Sequence, residues 1–294
     1  IKKFKSMSTT DISCVYIHKG YQPYLKYNLQ ISSKKNKIFL IGDDSVKPLR
    51  KISKNITFID INKYENSQLI ESLKKSFTNY SSNSYDFEWF CFARIFILSQ
   101  FLNDLKINKV FYSDSDNIIL SNINEFNFLE DVAFIIPKEF DEFRMSASIH
   151  SSLLNRLFCD KFISLYKDIY ENKSKFHLID DKISHHEKNN IPGGICDMTL
   201  YYLLNKEGII RSQNLIEPLI NKNKQKVVFM NHINTGEGPG GQVDYEMENN
   251  KLKIYPKGYI KSLHNDEKIA VANIHFQGEA KKELNRFTKF KYRI

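Results

Sequence analysis

Residues 110–120 read Val110-Phe111-Tyr112-Ser113-Asp114-Ser115-Asp116-Asn117-Ile118-Ile119-Leu120, and two carboxylates there interrupt an apolar run that then resumes. The pattern predicts a tight bend between two β-rich segments. Acids at positions i and i+2 resist ionising together unless a cation lies between them, and oxygen ligands suit a hard divalent ion such as Mg²⁺ or Mn²⁺. Asp, Ser and Asn also form ordinary turns, so this stretch alone is as typical of a solvated turn as of a metal site.

On both sides of the bend, continuous apolar runs of strand length alternate with helical patterns. Such runs are typical of a mostly parallel sheet flanked by helices, so we predict a Rossmann-like α/β fold. The predicted strands are 12–17, 37–42, 56–61, 110–113, 118–120, 133–137 and 269–275, and the predicted helices are 24–31, 85–105 and 153–170, with a further helix that begins near 197.

Two polar residues follow the first strands of this predicted sheet. His18 comes directly after the first strand, and Asp43 comes after the second. Ligands of parallel sheets bind outside the carboxyl ends of the strands, so this position favours a ligand beside both residues. Capping of a turn is the alternative for each of them.

Length and charge limit the class of protein. The chain has 294 residues, of which 41% are hydrophobic and 26% are charged, enough for one large or two small globular domains. Its net charge of +9 favours an anionic partner, which could be a nucleic acid, a membrane surface or a phosphorylated substrate. The segment 281–294 interleaves bases with aromatic residues, which suits either peripheral membrane contact or a packed helix with an exposed basic face.

The four cysteines are widely separated along the chain. No Cys-x-x-Cys spacing occurs, so we expect neither a zinc site nor a disulfide framework, and we expect a reducing compartment. No apolar run has the length of a bilayer span, and the first residues lack the apolar core of a signal peptide. The expectation is a cytoplasmic protein, with the basic tail as the candidate for peripheral contact with a membrane.

Three further features carry chemistry. Arg94 is the single charge within residues 89–98, and a guanidinium in so apolar a segment needs a partner, either a carboxylate of the fold or a bound phosphate. Asp197 follows a glycine-bearing turn and falls in the first turn of a predicted helix, where the helix dipole favours an acid in any case. His275, Gly278 and Lys281 recur at equal spacing, and together they suit a cradle for a metal ion and a diphosphate.

Two segments are candidates for an acceptor surface. His150, Ser151 and Asn155 fall where a strand is predicted to pass into helix 153–170. Residues 231–243 hold four glycines but lack the Gly-Lys-Ser/Thr ending of a phosphate-binding loop, which indicates a surface loop or a substrate lid.

Taken together, these residues resemble the metal-dependent glycosyltransferases of the GT-A fold, most closely the glycogenin-like and lipopolysaccharide-galactosyltransferase-like family, known as family eight. Residues 92–95 followed by 109–116 look like that family's Ala-Arg helix running into its Tyr-x-Asp-x-Asp strand. Residues 194–199 look like its Gly and Asp-Gln-Asp helix start, with Met198 and Thr199 in place of the last two residues. Residues 274–281 match its His-Phe-x-Gly-x-x-Lys signature, although Lys-Glu replaces the Pro-Trp that normally follows.

The resemblance implies one GT-A domain over residues 1–294. Its nucleotide-sugar half would be 10–135, its acceptor half 136–268, and its C-terminal metal/diphosphate motif and basic tail 269–294. The implied activity is that of a retaining, metal-dependent hexosyltransferase. It would move a sugar from a nucleotide-sugar donor, UDP-linked in that family, to a hydroxyl of a glycan, a glycolipid or another acceptor.

The resemblance also implies roles for individual residues. Asp114, Asp116 and His275 would hold Mn²⁺ or Mg²⁺, and Asp197 would be the catalytic acid nearest the anomeric carbon. A retaining enzyme would use Asp197 to stabilise an oxocarbenium-like centre, whereas an inverting one needs an acid that acts as a base on the acceptor hydroxyl. The implied donor-binding residues are His18, Gly20, Asp43, Arg94, Ser115, Gly278 and Lys281.

Three alternatives to this function remain open. One is an inverting GT-A glycosyltransferase, and another is a sugar nucleotidyltransferase, which normally carries a Gly-x-Gly-Thr-Arg-like loop that residues 18–21 do not supply. The third is a basic carbohydrate- or nucleic-acid-binding module without catalysis. Because recognised nucleic-acid signatures are absent, we expect no nucleic-acid partner.

Overall fold

The computed structural model of the chain describes residues 11–137, 142–233, 245–249, 251–255 and 258–284. The helices and strands alternate through the first half of this range, and short strands dominate after residue 212. In chain order the elements are β1 (Cys14–His18), α1 (Pro23–Ser32), β2 (Ile38–Gly42), β3 (Ile56–Asp60), α2 (Asn62–Glu65), α3 (Gln68–Ser76), α4 (Tyr85–Asp104), β4 (Lys109–Ser113), β5 (Asn117–Ile119), β6 (Ala133–Ile135), β7 (Ser148–Asn155), α5 (Arg156–Tyr166), α6 (His177–Asn189), α7 (Asp197–Lys206), β8 (Gln213–Asn214), β9 (Leu219–Ile220), β10 (Lys226–Val228), β11 (Met247–Glu248), β12 (Lys251–Leu252), β13 (Tyr259–Lys261), β14 (Lys268–Val271) and β15 (Asn273–His275).

A seven-stranded sheet forms the centre of the molecule, in the order β3-β2-β1-β4-β7-β6-β8. The first four strands in this order are parallel neighbours, whereas β7 runs antiparallel to both β4 and β6. Helices cover the sheet, so the predicted α/β fold with a mostly parallel central sheet is confirmed.

Alternation along the strands sends side chains into two separate cores. Val15 and Ile17 of β1 pack in the core that α3, α4, α5 and α7 cover. Cys14 and Tyr16 point the other way and pack with α1. Helix α4 is apolar around most of its circumference because it lies between the sheet and its neighbours α3, α5 and α7.

A second, four-stranded sheet, in the order β13-β14-β10-β9, follows in the chain and leads back to the bend at residues 114–116. After β14 the chain continues into β15, which pairs antiparallel with β5, so that His275 lies opposite Asn117 and Ile274 lies opposite Ile118. This pairing brings the C-terminal histidine beside the Asp-Ser-Asp bend. The segment 269–275, predicted as one strand, is therefore two strands with different partners.

The predicted start of helix 153–170 is wrong. Residues up to Asn155 belong to β7, which pairs with β4 from Lys109 to Ser113, and the helix begins at Arg156. The apolar pair Leu153 and Leu154 fits a buried strand as well as a helix. It forms a strand here because β4 offers backbone hydrogen bonds along its edge.

In the described part of the chain, no helix combines the length and the apolar character that a membrane crossing requires.

Candidate active site

The Asp-Ser-Asp bend is fixed by neighbouring elements on two sides. Its backbone closes a turn, in which the Asn117 amide donates to the Asp114 carbonyl at 3.0 Å and the Asp114 amide donates to the carbonyl of His150 at 3.1 Å. From α1, the buried Asn28 side chain donates to the carbonyls of Ser115 (2.7 Å) and Asn117 (2.9 Å). The bend is therefore a packed turn between two strands, as predicted, rather than a loosely solvated one.

Pairing of β5 with β15 brings His275 to this bend. One carboxylate oxygen of Asp114, one of Asp116 and one ring nitrogen of His275 all lie within 4.8 Å of one another. The Nδ1 atom of His275 lies 2.6 Å from the carbonyl of Asn231, which requires a proton on Nδ1, and the Nε2 atom lies 3.5 Å from Asp116 Oδ1. When the ring is neutral, that hydrogen bond selects the tautomer in which Nε2 carries a free lone pair, the form that can bind a metal.

Charge at the bend is balanced by two cationic groups. Lys281 Nζ lies 3.1 Å from Asp116 Oδ2, whereas His275 lies nearer the other carboxylate oxygen, Oδ1. Burial by itself would raise the pKa of Asp116, but His275 and Lys281 outweigh it and the pKa is lowered far below its usual range. Burial opposes charge on His275 as well, yet the Asp116 carboxylate prevails and raises the pKa of the imidazole above 6.5.

A partly buried arginine connects the bend to Asp197. Arg94 donates from Nη1 to Asp114 Oδ1 at 2.7 Å and from Nη2 to Asp197 Oδ2 at 3.1 Å, so its predicted partner is found in two carboxylates. Asp197 also accepts from the Tyr201 hydroxyl at 3.0 Å and, through Oδ1, from the Met198 amide at 2.9 Å. Burial is the main reason that the pKa of Asp197 is raised, and Asp114 adds to it while Arg94 and Tyr201 oppose it.

These groups face one cavity of about 840 Å³ at the carboxyl ends of β1 and β4. Its size matches that of ordinary small-ligand sites, and its position fits the rule that parallel sheets bind ligands at this edge. The predicted residues that line it are His18, Arg94, Asp114, Ser115, Asp116, His150, Asp197, His275, Gly278 and Lys281.

Four predicted residues do not line the cavity. Asp43 accepts from the Gly20 amide at 2.8 Å and from Ser45, which is the turn cap named as the alternative. Ser151 is buried within β7 and accepts from the Asn117 side chain at 2.7 Å. Asn155 lies at the end of β7 farthest from the bend, opposite Lys109, where its side chain caps α5. Strand β7 carries Ser151 and Asn155 along β4, and Asn155 stands where the strand passes into α5; their acceptor role stays a prediction.

His150 is also in β7, but its ring reaches the site. It stacks on the His275 ring with the centroids 4.0 Å apart, and its Nε2 lies 3.1 Å from the carbonyl of Met230. Burial and the neighbouring His275 hold the pKa of His150 well below 6.5, so the ring is neutral and serves to position His275.

Sequence reasoning missed a pair of buried asparagines beneath the site. Asn273 donates from Nδ2 to Asn117 Oδ1 at 2.6 Å, and its own Oδ1 accepts from the Met230 amide at 2.7 Å. Asn117 in turn donates to the carbonyl of His150 at 2.8 Å. The hydrogen bonds of these two side-chain amides connect β5, β7 and β15. The contact between them depends on the pairing of β5 with β15, which the sequence does not show.

Two more cavity residues, Glu88 and His232, were also missed. Glu88 precedes Arg94 on α4 by six residues, which sets the two side chains about 120° apart around the helix axis, so helical periodicity does not predict that both line the cavity. Burial, His275 and Arg144 lower the pKa of His232 to about 4. The glycines of the predicted loop, Gly236 to Gly241, and the tail from 285 to 294 lie outside the described residues.

The sequence matches no protein-family profile, and no curated protein shows significant similarity to it. Solved structures similar to the chain include three glycosyltransferases, all at low identity. The PaToxG glycosyltransferase is 15% identical, with 67% of this chain and 70% of that chain covered and a TM-score of 0.41. GlyE from Streptococcus pneumoniae TIGR4 is 18% identical over 70% of this chain and 45% of that chain, with a TM-score of 0.32. The bifunctional WbbM is 13% identical over 98% of this chain and 51% of that chain, with a TM-score of 0.42.

Proposed function

We propose that the chain is a metal-dependent glycosyltransferase that moves a sugar from a nucleoside-diphosphate sugar to a hydroxyl acceptor on a glycan. The observation that carries the proposal is the joining of an Asp114–Asp116–His275 group to Asp197 through Arg94 along one wall of the cavity. Such a site has a place for a diphosphate at one end and an acid for the reacting sugar at the other. The sequence resemblance adds uridine as the base and retention of configuration at the anomeric carbon.

The donor set fits a hard divalent cation. Two carboxylates and one imidazole converge, and the Asn231 carbonyl fixes the tautomer of His275. Oxygen and nitrogen donors of this kind suit Mn²⁺ and Mg²⁺, and the described residues bring no thiolate to the group. The chemistry that such an ion supplies is Lewis-acid stabilisation of the charge on the departing nucleoside diphosphate.

Residues around the bend would bind the diphosphate. The Lys281 ammonium, 3.1 Å from Asp116, can place a second positive charge beside the diphosphate, in addition to that of the metal ion. Gly278 has a φ of 56°, in the left-handed region that favours glycine, and it opens the short helical turn Gly278–Glu283 that carries Lys281. A side chain at position 278 would strain this turn.

Asp197 is the residue proposed to act on the sugar. Its carboxylate is held in one orientation by Arg94, Tyr201 and the Met198 amide. A fixed negative charge at the cavity wall can stabilise the positive charge that develops at the anomeric carbon as the leaving group departs. Arg94 would act as a positioning residue, because Asp114 and Asp197, the two carboxylates that it contacts, both belong to the site.

The test is a screen of nucleotide sugars for Mn²⁺-dependent hydrolysis and transfer by the full chain. Asp114→Asn and His275→Ala should each abolish the metal-dependent turnover, while Asp197→Asn should lower turnover more than it lowers donor affinity. Asp44→Asn is the matched control, since Asp44 is an exposed acid outside the cavity.

Circular dichroism checks that each variant is folded. Metal-dependent turnover that persists in Asp114→Asn or His275→Ala would contradict the metal assignment. Hydrolysis and transfer that both stay near wild type in Asp197→Asn would remove Asp197 from the reaction.

A further inference from the structure

Glu88 is a buried acid in the cavity wall that belongs to none of the sequence motifs. Its relative exposure is 1%, although it lies in the first turn of α4. One carboxylate oxygen, Oε1, accepts from the Asn83 side chain at 2.6 Å and from the Ser81 hydroxyl at 3.2 Å. The other oxygen, Oε2, has no hydrogen-bond partner in the described part of the chain. Buried polar atoms of native proteins are rarely left unpaired, so a missing partner points to a ligand.

The position of Glu88 relates it to the reacting end of the cavity. Glu88, Cys91 and Arg94 follow one another at intervals of three on α4, and all three line the cavity. Burial is the main reason that the pKa of Glu88 is raised, and the charge of Asp197 raises it further while Asn83 and Arg94 oppose the shift. Glu88 therefore shares the Arg94–Asp197 end of the cavity, whereas Lys281 marks the diphosphate end.

The segment 80–83, which contains the two residues that donate to Glu88, is anchored to the turn that leads into Asp197. The Ser82 amide donates to the Gly193 carbonyl at 2.7 Å, and the Ile195 amide donates to the Tyr80 carbonyl at 3.0 Å. A Cβ at position 194 would lie 2.0 Å from the Tyr80 carbonyl oxygen, so only glycine allows this approach. The wall around Glu88 is thus held by backbone contacts, and its carboxyl group is positioned in advance of any ligand.

We propose that Glu88 accepts a hydrogen bond from a hydroxyl of the transferred sugar and that this end of the cavity selects a neutral sugar over an acidic one. The inference rests on the proposed glycosyl transfer. A carboxylate with one oxygen already satisfied offers the other to an O–H donor. The three acids Glu88, Asp114 and Asp197 outnumber the Arg94 guanidinium that bridges two of them, so a carboxylate on the sugar would meet excess negative charge.

A second guanidinium lies elsewhere along the cavity. Arg144 also lines it, and the charge of Arg144 lowers the pKa of His232. If a sugar carboxylate were bound there, acidic donors would be accepted, and the test below includes that outcome.

The experiment measures Mn²⁺-dependent hydrolysis for the wild type, Glu88→Gln and Glu88→Asp. The donors are the UDP-hexose that the wild type accepts, its analogues that each lack one hydroxyl, and the matching UDP-uronate. We expect Glu88→Gln to lower kcat/KM by about tenfold to a hundredfold, as for a lost hydrogen bond to a charged group. With the wild type, kcat/KM should fall by a similar factor for one of the deoxy donors. For that donor, Glu88→Gln should lower kcat/KM little further. The uronate should be at least about tenfold poorer than the neutral donor.

A merely structural role would give a different result, because it would lower kcat/KM for every donor by the same factor. Asp86→Asn is the control, since Asp86 is an exposed acid on the same helix that does not line the cavity. Melting temperatures show whether Glu88→Gln is folded, and Glu88→Asp, which keeps the charge, allows the same deoxy comparison if it is not. The proposal is overturned if both variants stay within twofold of the wild type, if all donors lose equally, or if the uronate is the better donor. A wild type that hydrolyses no nucleotide sugar would overturn the proposed function first, and this inference with it.

Discussion

Replacing Lys281 with methionine should change metal affinity and diphosphate affinity in opposite directions. In the metal-free protein the Lys281 ammonium lies 3.1 Å from Asp116 Oδ2 and competes with a divalent ion for that carboxylate. At this distance and an effective dielectric constant of about 20, two unit charges attract by roughly 5 kcal/mol. Because 39% of the Lys281 side chain is exposed, solvent screening reduces the net effect to about 1.5 kcal/mol, or about tenfold in a binding constant.

The measurement is a calorimetric titration of the variant with Mn²⁺, followed by a titration of the Mn²⁺-loaded protein with UDP. We expect Lys281→Met to bind Mn²⁺ about tenfold more tightly, since the competing cation is gone. The same variant should bind UDP about tenfold more weakly, since a cation beside the diphosphate is lost. Lys282→Met is the matched control, because Lys282 is the next residue, is largely exposed and pairs with Glu279 instead.

Weaker Mn²⁺ binding by Lys281→Met would refute the competition at Asp116. Unchanged UDP binding would refute the assignment of Lys281 to the diphosphate. If Lys282→Met gave the same shifts, the effect would be one of overall charge rather than of this contact.

Three further results are expected. Arg94→Met leaves Asp114 and Asp197 without the cation that they share. Urea denaturation should therefore show a loss of about 3–5 kcal/mol in the free energy of unfolding, and a smaller loss with saturating Mn²⁺. Equal losses with and without the ion would contradict the bridge. Because the pKa of His275 is raised above 6.5, its contribution to the stability of the metal-free protein is complete below that pH and is lost as the pH rises through the raised pKa. Mn²⁺ displaces the same proton, so its measured affinity should increase with pH and level off above that pKa, and a flat profile would count against His275 as a ligand. Asn273→Leu removes the partner of the buried Met230 amide and of Asn117 Oδ1, and it should cost about 2–4 kcal/mol in thermal denaturation, whereas a stable variant would show that water or a rearranged strand replaces the side chain.

Local pattern was sufficient for the elements nearest the bend. The observed β1, α1, β2, β3 and α4 agree with the predicted ranges to within one or two residues, because continuous apolar runs and helical periodicity are properties of short windows. The bend itself followed from two acids between apolar runs. These elements fix the carboxyl edge of the parallel strands, and with it the location of the cavity.

The contacts between distant segments could not be read from local pattern. His275 reaches Asp116 because β15 pairs with β5, and the sequence of β15 specifies a strand but not its partner. The same limitation explains β7, where an apolar segment was predicted as a helix although β4 offers it a free edge. The resemblance to a glycosyltransferase family supplied the shared role of Asp114, Asp116 and His275, and the paired strands supply the geometry.

Buried polar residues were the least predictable part of the site. In the sequence Asn117 and Asn273 are ordinary turn or strand residues. Their role is visible only in the structure, where the Asn273 side chain donates a hydrogen bond to that of Asn117. Glu88 carried a weak signal, an acid six residues before Arg94 in an apolar helix. Whether such an acid faces solvent or a cavity depends on the loop 81–83 and the turn at Gly193, which pack over it.

The bridge through Arg94 gives the site a physical connection between its two ends. The described hydrogen bonds to the Asp114 carboxylate, from Arg94 and from the Tyr112 hydroxyl, both go to Oδ1, so the second oxygen stays available to a cation. A divalent ion on that oxygen would draw electron density from Asp114 and weaken its attraction for Arg94, which would leave the guanidinium to interact more strongly with Asp197. Loading of the metal would then favour the ionised form of Asp197, whose pKa burial raises in the metal-free protein. The negative charge of Asp197 beside the sugar would in this way be better stabilised once the diphosphate end is prepared for the donor.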